Sequence, residues 1–180
     1  MKIFVAGPIT DNAKEVFFKV AEELGNLLAQ DKGNHLIFGG VSTGPLGQVY
    51  KIMERAGNPI TAVVPEVYAG DLGHIRSNHS FVTKTNMQRT EKLIELAEVI
   101  IILPGGRGTQ SEFYQVVESK RAGEHKKPIV LLNLDNCYKG ILLQDEEDIK
   151  NGFSKPSQQG YFFVAETVSS AMDYIKRKLQ

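Results

Sequence analysis

Residues 104–112 read Pro-Gly-Gly-Arg-Gly-Thr-Gln-Ser-Glu and follow directly on the apolar run Val99-Ile100-Ile101-Ile102-Leu103. This order predicts a buried strand, a glycine-rich turn and a helix carrying a carboxylate, Glu112, in its first turn. Gly105, Gly106 and Gly108 have no side chains, so the backbone there can approach a ligand and take up positive φ. A helix opening near Thr109 aims unpaired N–H groups and a partial positive charge at the turn, which suits a phosphate. Arg107 and the Thr109 hydroxyl belong to the same stretch. The turn lacks the Gly-Lys-Ser/Thr of a triphosphate-binding loop, and Gly7-Pro8 does not make a GxGxxG fingerprint, so a monophosphate is the better match. Thr109-Gln110-Ser111-Glu112 also fits a capping box, in which Glu112 bonds back to the Thr109 N–H. Taken alone, those four residues favour the capping box.

The rest of the chain must bring partners to this turn. Apolar segments at Ile3–Ala6, Leu36–Phe38, Ile60–Val64, Val99–Leu103, Ile129–Leu132 and Tyr161–Ala165 read as strands, with a short one at Phe81–Lys84. Helical spacing runs from about Ala13 to Gln30, after Gly44-Pro45, over Thr109–Ala122, near Leu142–Asn151 and from Thr167. Asn86 is placed to cap a further helix running to about Ala97. Residues 66–80 read as a long loop over the site. Strands alternating with helices predict an α/β fold: a Rossmann-like, doubly wound parallel sheet with helices on both faces, as one domain over residues 1–180. Such sheets bind ligands beyond the strand C-termini where the strand order reverses. Gly7-Pro8, Gly39-Gly40, the start at Asn86 and the turn at Pro104–Gly108 then share one edge. On that edge Arg89 and Glu112 come together across 23 positions of sequence, and the combination points to a site where each part alone would not.

Composition narrows the function classes. Lys+Arg and Asp+Glu both number 21 in 180 residues, giving zero formal net charge, which argues against a nucleic-acid binder. Cys137 is the single cysteine, consistent with a reducing compartment. The four histidines lack ligand spacing, so no metal is expected. No apolar stretch approaches membrane-spanning length, and a cytoplasmic protein without membrane association is expected.

The nine residues Pro104–Glu112 match every fixed position of PGGxGTxxE, the hallmark of the LOG (lonely guy) family of cytokinin riboside 5′-monophosphate phosphoribohydrolases, which this chain resembles. The family's MxxRK segment corresponds to Asn86-Met87-Gln88-Arg89-Thr90, with Arg89 standing 15 residues before Pro104. Its GGGxxGLMG-like turn corresponds to Gly39–Gly47, and its GVIP strand end to Ala62-Val63-Val64-Pro65. Departures occur at Gly7-Pro8-Ile9-Thr10, where the family has Gly-Ser-Ser, and at Asn86 and Thr90, which replace a methionine and a lysine; they bear on the base more than on the reaction. The resemblance implies hydrolysis of a nucleoside 5′-monophosphate, AMP or an N6-modified AMP, to free base and ribose 5-phosphate. It implies Glu112 and Arg89 as catalytic residues. Gly105, Gly106, Arg107, Gly108 and Thr109 then bind phosphate, and Gly7, Pro8, Gly39, Gly40 and Asn86 form the remaining walls. It implies no cofactor and a homodimer with helices of both chains at the site.

Ala6-Gly7-Pro8 resembles the AGP segment of nucleoside 2-deoxyribosyltransferases, which leaves base exchange as an alternative. A related fold serves molybdenum-cofactor carriers, which leaves binding without turnover as another. Chains of this kind have also been labelled lysine decarboxylases, but no lysine here stands out as a Schiff-base partner for pyridoxal phosphate.

Overall fold

The computed structural model describes residues 1–155 and 160–179. The elements follow in the order β1 (Lys2–Ala6), α1 (Glu15–Ala29), β2 (His35–Phe38), α2 (Gly44–Arg55), β3 (Ile60–Pro65), a 3-10 segment (Glu66–His74), β4 (His79–Thr83) and α3 (Asn86–Leu96). Then come β5 (Val99–Ile102), α4 (Arg107–Arg121), β6 (Ile129–Leu132), a 3-10 turn (Leu134–Asn136), α5 (Lys139–Lys150), β7 (Phe163–Ala165) and α6 (Val168–Leu179). The strands form a seven-stranded sheet in the order β4-β3-β2-β1-β5-β6-β7, and every pairing is parallel. The α/β, Rossmann-type fold read from the sequence is the fold observed.

Alternation along each strand divides the core in two. Ile3, Val5, Val99 and Ile101 face Val20, Leu24, Val49, Met53 and Ile175 of α1, α2 and α6. Phe4, Ala6, Ile100 and Ile102 face Leu93, Phe113 and Val116 of α3 and α4, with Tyr138 beside them. All four β5 side chains are fully buried, which is why that strand is continuously apolar rather than alternating. Burying each is worth about 1.5–3 kcal/mol.

Several boundaries differ from those predicted, and two of them lie between β3 and α3. Residues 66–74 form a 3-10 segment, and β4 begins at His79, pairing from Thr61↔His79 to Pro65↔Thr83. The glycines there read as loop because a 3-10 segment needs no apolar stripe. The strand starts before the predicted Phe81 because β4 is an exposed edge strand, four of whose five residues lie open, so it carries little hydrophobic signal. The second difference is at α3: Thr85, not Asn86, is its cap, the Thr85 hydroxyl accepting from the Gln88 N–H at 3.2 Å.

The order reverses between β1 and β5. The β1 chain leaves toward α1 on one face and the β5 chain toward α4 on the other, opening a crevice beyond the two strand ends. None of the described helices is long and apolar enough to cross a membrane.

Candidate active site

A cavity of about 660 Å³ occupies that crevice, within the range that holds small-molecule ligands. Gly7 and Pro8 border it after β1, Gly39 and Gly40 after β2, Asn86 and Arg89 on α3, and Gly106, Arg107, Gly108, Thr109 and Glu112 at the α4 start. These are the predicted site residues with one exception. Gly105 does not line the cavity: a Cβ there would lie 2.3 Å from Thr109 Oγ1, so its bareness serves the seating of Thr109, itself buried. Nor does the turn use positive φ. The left-handed glycines at this edge are Gly40 and Gly44, while Gly106 is extended at φ −85 and ψ −155.

The helix also starts earlier than its pattern suggests. With Gly106 as cap, α4 begins at Arg107, and Glu112 stands in the second turn rather than the first. It is therefore too far along to close a capping box, Gly106 has no side chain to cap with, and among the described residues no other side chain caps this helix. Gly106, Arg107 and Gly108 are exposed, leaving the N–H-bearing end of α4 open toward the cavity.

The Glu112 carboxylate is committed elsewhere. Arg89 Nη1 lies 2.8 Å from Glu112 Oε1, with both side chains largely buried. Arg89 Nε donates to the Val63 carbonyl at 3.1 Å, so the guanidinium bridges the β3 end and the α4 helix. Gly39 makes room for it: a Cβ there would lie 2.0 Å from Arg89 Nη2. Burial pushes the Glu112 carboxyl above the usual glutamate range, and the charge and hydrogen bond of Arg89 pull the other way. A buried carboxylate held by one arginine beside a cavity is a typical functional arrangement.

Beneath the turn, the buried Tyr138 hydroxyl donates to the Leu103 carbonyl at 2.5 Å, and Asn133 Oδ1 accepts from the Tyr138 N–H at 2.8 Å. Burial raises the tyrosine well above its ordinary value, so it stays a neutral donor. This support spans 35 positions of sequence and has no local signal. Ile9, Thr10, Val64, Pro65, Tyr68, Ser111 and Gln115 also reach the cavity. Ile9, Thr10, Val64 and Pro65 belong to stretches the sequence already singles out; Tyr68, Ser111 and Gln115 do not, because nothing local distinguishes a wall residue from any other.

A family model described as possible lysine decarboxylase matches residues 46–175, well over half of the chain. The chain belongs to this family, the LOG family. A cytokinin riboside 5′-monophosphate phosphoribohydrolase of Rhodococcoides fascians is 29% identical over 160 residues, covering 88% of this chain and 80% of that one. A probable cytokinin riboside 5′-monophosphate phosphoribohydrolase of Oryza sativa subsp. japonica is 29% identical over 151 residues, covering 81% and 69%. Among solved structures, the Moco carrier protein from Chlamydomonas reinhardtii aligns with a TM-score of 0.68 at 25% identity, over 99% of this chain and 96% of that one. The molybdenum cofactor binding protein from Rippkaea orientalis has a TM-score of 0.72 at 22% identity, over 99% and 97%, and shares the fold.

The LOG-family match spans Asn86, Arg89 and Gly105–Glu112, while the walls at Gly7-Pro8 and Gly39-Gly40 lie outside it. The decarboxylase wording of the family description asks for a lysine able to hold pyridoxal phosphate as a Schiff base. No lysine lines the cavity, so these residues do not fit that cofactor. Among the described residues no group of three or more His, Cys, Asp or Glu is placed to hold a metal ion.

Proposed function

We propose that the protein hydrolyses the N-glycosidic bond of a nucleoside 5′-monophosphate, with AMP or an N6-modified AMP favoured, to free base and ribose 5-phosphate. The observation that carries this reading is the buried Arg89–Glu112 pair beside the uncapped start of α4. The exposed Gly106–Gly108 backbone and the positive helix end anchor the 5′-phosphate and so fix the ribose. The C1′–N bond then breaks, its electron pair leaving with the base, and an oxocarbenium-like ribose develops, as in glycoside hydrolysis. Glu112 stabilises that positive charge. Water adds its oxygen to C1′, and its protons are shared between the new hydroxyl and the departing base. Arg89, tied to Val63 at its Nε, holds the carboxylate in register. The phosphoribohydrolase names of the relatives support this reading. It includes a homodimer, which light scattering would check.

The test is incubation with AMP, CMP, GMP, UMP and an N6-modified AMP, followed by chromatography for free base and ribose 5-phosphate. Release from one or more supports the reading. Base exchange with a deoxynucleoside donor would move the assignment to transfer. A second reading, binding without turnover, is favoured by the Moco carrier aligned along nearly the whole chain. Tight binding of a pterin monophosphate with no base release from any nucleotide would establish it instead.

A further inference from the structure

Three helix starts border the cavity among the described residues, at Thr43 for α2, Asn86 for α3 and Gly106 for α4. They are not equivalent. Thr85 caps α3 from its own chain neighbourhood. Among the described residues no side chain caps α4. At α2 the Thr43 side chain does not cap its own helix; the Gly44 N–H donates instead to Asp11 Oδ1 at 2.9 Å, from 33 positions away. A carboxylate there also meets the positive end of the helix.

That bond is one of three joining the same two segments. The Thr43 hydroxyl donates to the Ile9 carbonyl at 2.8 Å, and the Leu46 N–H to the Pro8 carbonyl at 3.1 Å. The fit is close: Gly44 has φ +65, and a Cβ there would lie 2.5 Å from the Ile9 carbonyl carbon and 2.7 Å from the Pro8 oxygen. Residues 8–11 are thus strapped across the start of α2. The strap carries Pro8, Ile9 and Thr10, which line the cavity, whereas Asp11 does not. Ile9 is 54% exposed, a large apolar side chain kept at the cavity rim by backbone bonds rather than by packing. This is the stretch where Gly-Pro-Ile-Thr departs from the family pattern.

We propose that Asp11 is a positioning residue for ligand selection: by capping α2 from across the rim, it holds the Pro8–Thr10 wall against the bound base. This rests on the nucleotide reading above. Pro8, Ile9 and Thr10 carry no charged side chain and contribute no group to the Arg89–Glu112 pair, so the placement of this wall governs which base is accepted rather than the bond-breaking step. An asparagine at position 11 keeps the accepting oxygen; an alanine removes it.

The experiment compares Asp11→Ala, Asp11→Asn and Thr43→Val with the unaltered protein, measuring kcat and KM over the nucleotide panel and Kd for AMP by calorimetry. Asp11→Ala should raise KM and the AMP Kd roughly fivefold, the factor carried by loss of one capping bond. It should also narrow the preference between bases and leave kcat within about twofold, because uniform binding alone is lost. Asp11→Asn should restore both KM and base preference. Thr43→Val removes a different bond of the strap and should move KM in the same direction as Asp11→Ala, which keeps the test open if the alanine variant folds poorly. An unchanged KM and base preference in Asp11→Ala and Thr43→Val would overturn the proposal. So would a parallel fall in kcat that Asp11→Asn fails to rescue. If the unaltered protein releases no base from any nucleotide, the hydrolytic reading fails, while the AMP Kd series still decides the role of Asp11.

Discussion

Two glycine-rich turns end neighbouring regions of the same sheet edge and do opposite things. The β2–α2 turn, Gly39–Gly44, is closed: Gly40 and Gly44 are left-handed, Gly44 and Pro45 are buried, and Asp11 caps the helix. The β5–α4 turn, Pro104–Arg107, is open: its glycines are not left-handed, Gly106 and Arg107 are exposed, and no side chain of the described residues caps the helix. Glycine is required in the first by conformation and by the Arg89 guanidinium lying against Gly39. At Gly106 and Gly108 neither reason applies, since a Cβ at either would meet nothing within 4 Å. Bare backbone that the fold does not need is backbone available to a ligand.

The largest effect should come from the pair that the open turn serves. Glu112→Gln is expected to lower kcat at least ~10²-fold with AMP binding retained, if its role matches that of a lost oxyanion-hole donor. Near-normal turnover by the folded variant would remove Glu112 from the chemistry. Gly39→Ala should approach that loss although it removes no group of the Arg89–Glu112 pair. Its methyl displaces the guanidinium, and a misplacement of about 1 Å can cost ~10²-fold; single-turnover rates would show it.

The contrast between the turns is sharpest in a matched pair of alanine substitutions. Gly44→Ala forces a left-handed residue against the Pro8–Ile9 backbone and should cost about 1–3 kcal/mol in denaturant stability. Gly106→Ala should leave stability unchanged within about 0.5 kcal/mol and raise KM roughly tenfold, because the added methyl stands where a phosphate approaches and keeps it from one charge-assisted hydrogen bond. Equal stability losses with unaltered KM would make both turns merely structural.

The smallest predicted effect is in pH dependence. Burial holds the folded Glu112 carboxyl above its unfolded value. The resulting contribution to stability is present below the unfolded value and is lost as pH rises through the folded one. Catalysis needs the ionised form and rises over that same interval. The acid limb of kcat/KM should therefore lie above the usual glutamate range, while this contribution to stability falls across it; Glu112→Gln should abolish both changes. A limb below that range would mean that Arg89 outweighs burial.

Much of this was legible in the residues. The apolar run Val99–Leu103 announces double-sided burial, and its position before Pro104 gives a strand, turn and helix in order. Arg89 and Glu112 were recognisable because the parallel topology places helix starts on one edge. Less legible were features whose signal is weak or shared between distant segments. The exposed edge strand β4 lacks a hydrophobic pattern, and Gly106 shifts the start of α4 by two residues, moving Glu112 out of capping reach. Asn86 reads as a cap from its own side chain, but Thr85, one position earlier, is equally suited and is the residue that bonds the Gln88 N–H.

The layered α/β architecture and the chemistry at hand follow from residue order alone, because strand burial, glycine freedom and carboxylate character belong to local residue types. Which helix start stays open, and which carboxylate closes the other, is set by packing between distant segments. The same packing has Glu112 spend its charge on Arg89 rather than on its own helix. Those choices depend on contacts such as Asp11 with Gly44 and Tyr138 with Leu103, whose partners lie 33 and 35 positions apart. Only the packed sheet brings such groups within hydrogen-bond distance, and no local pattern records them.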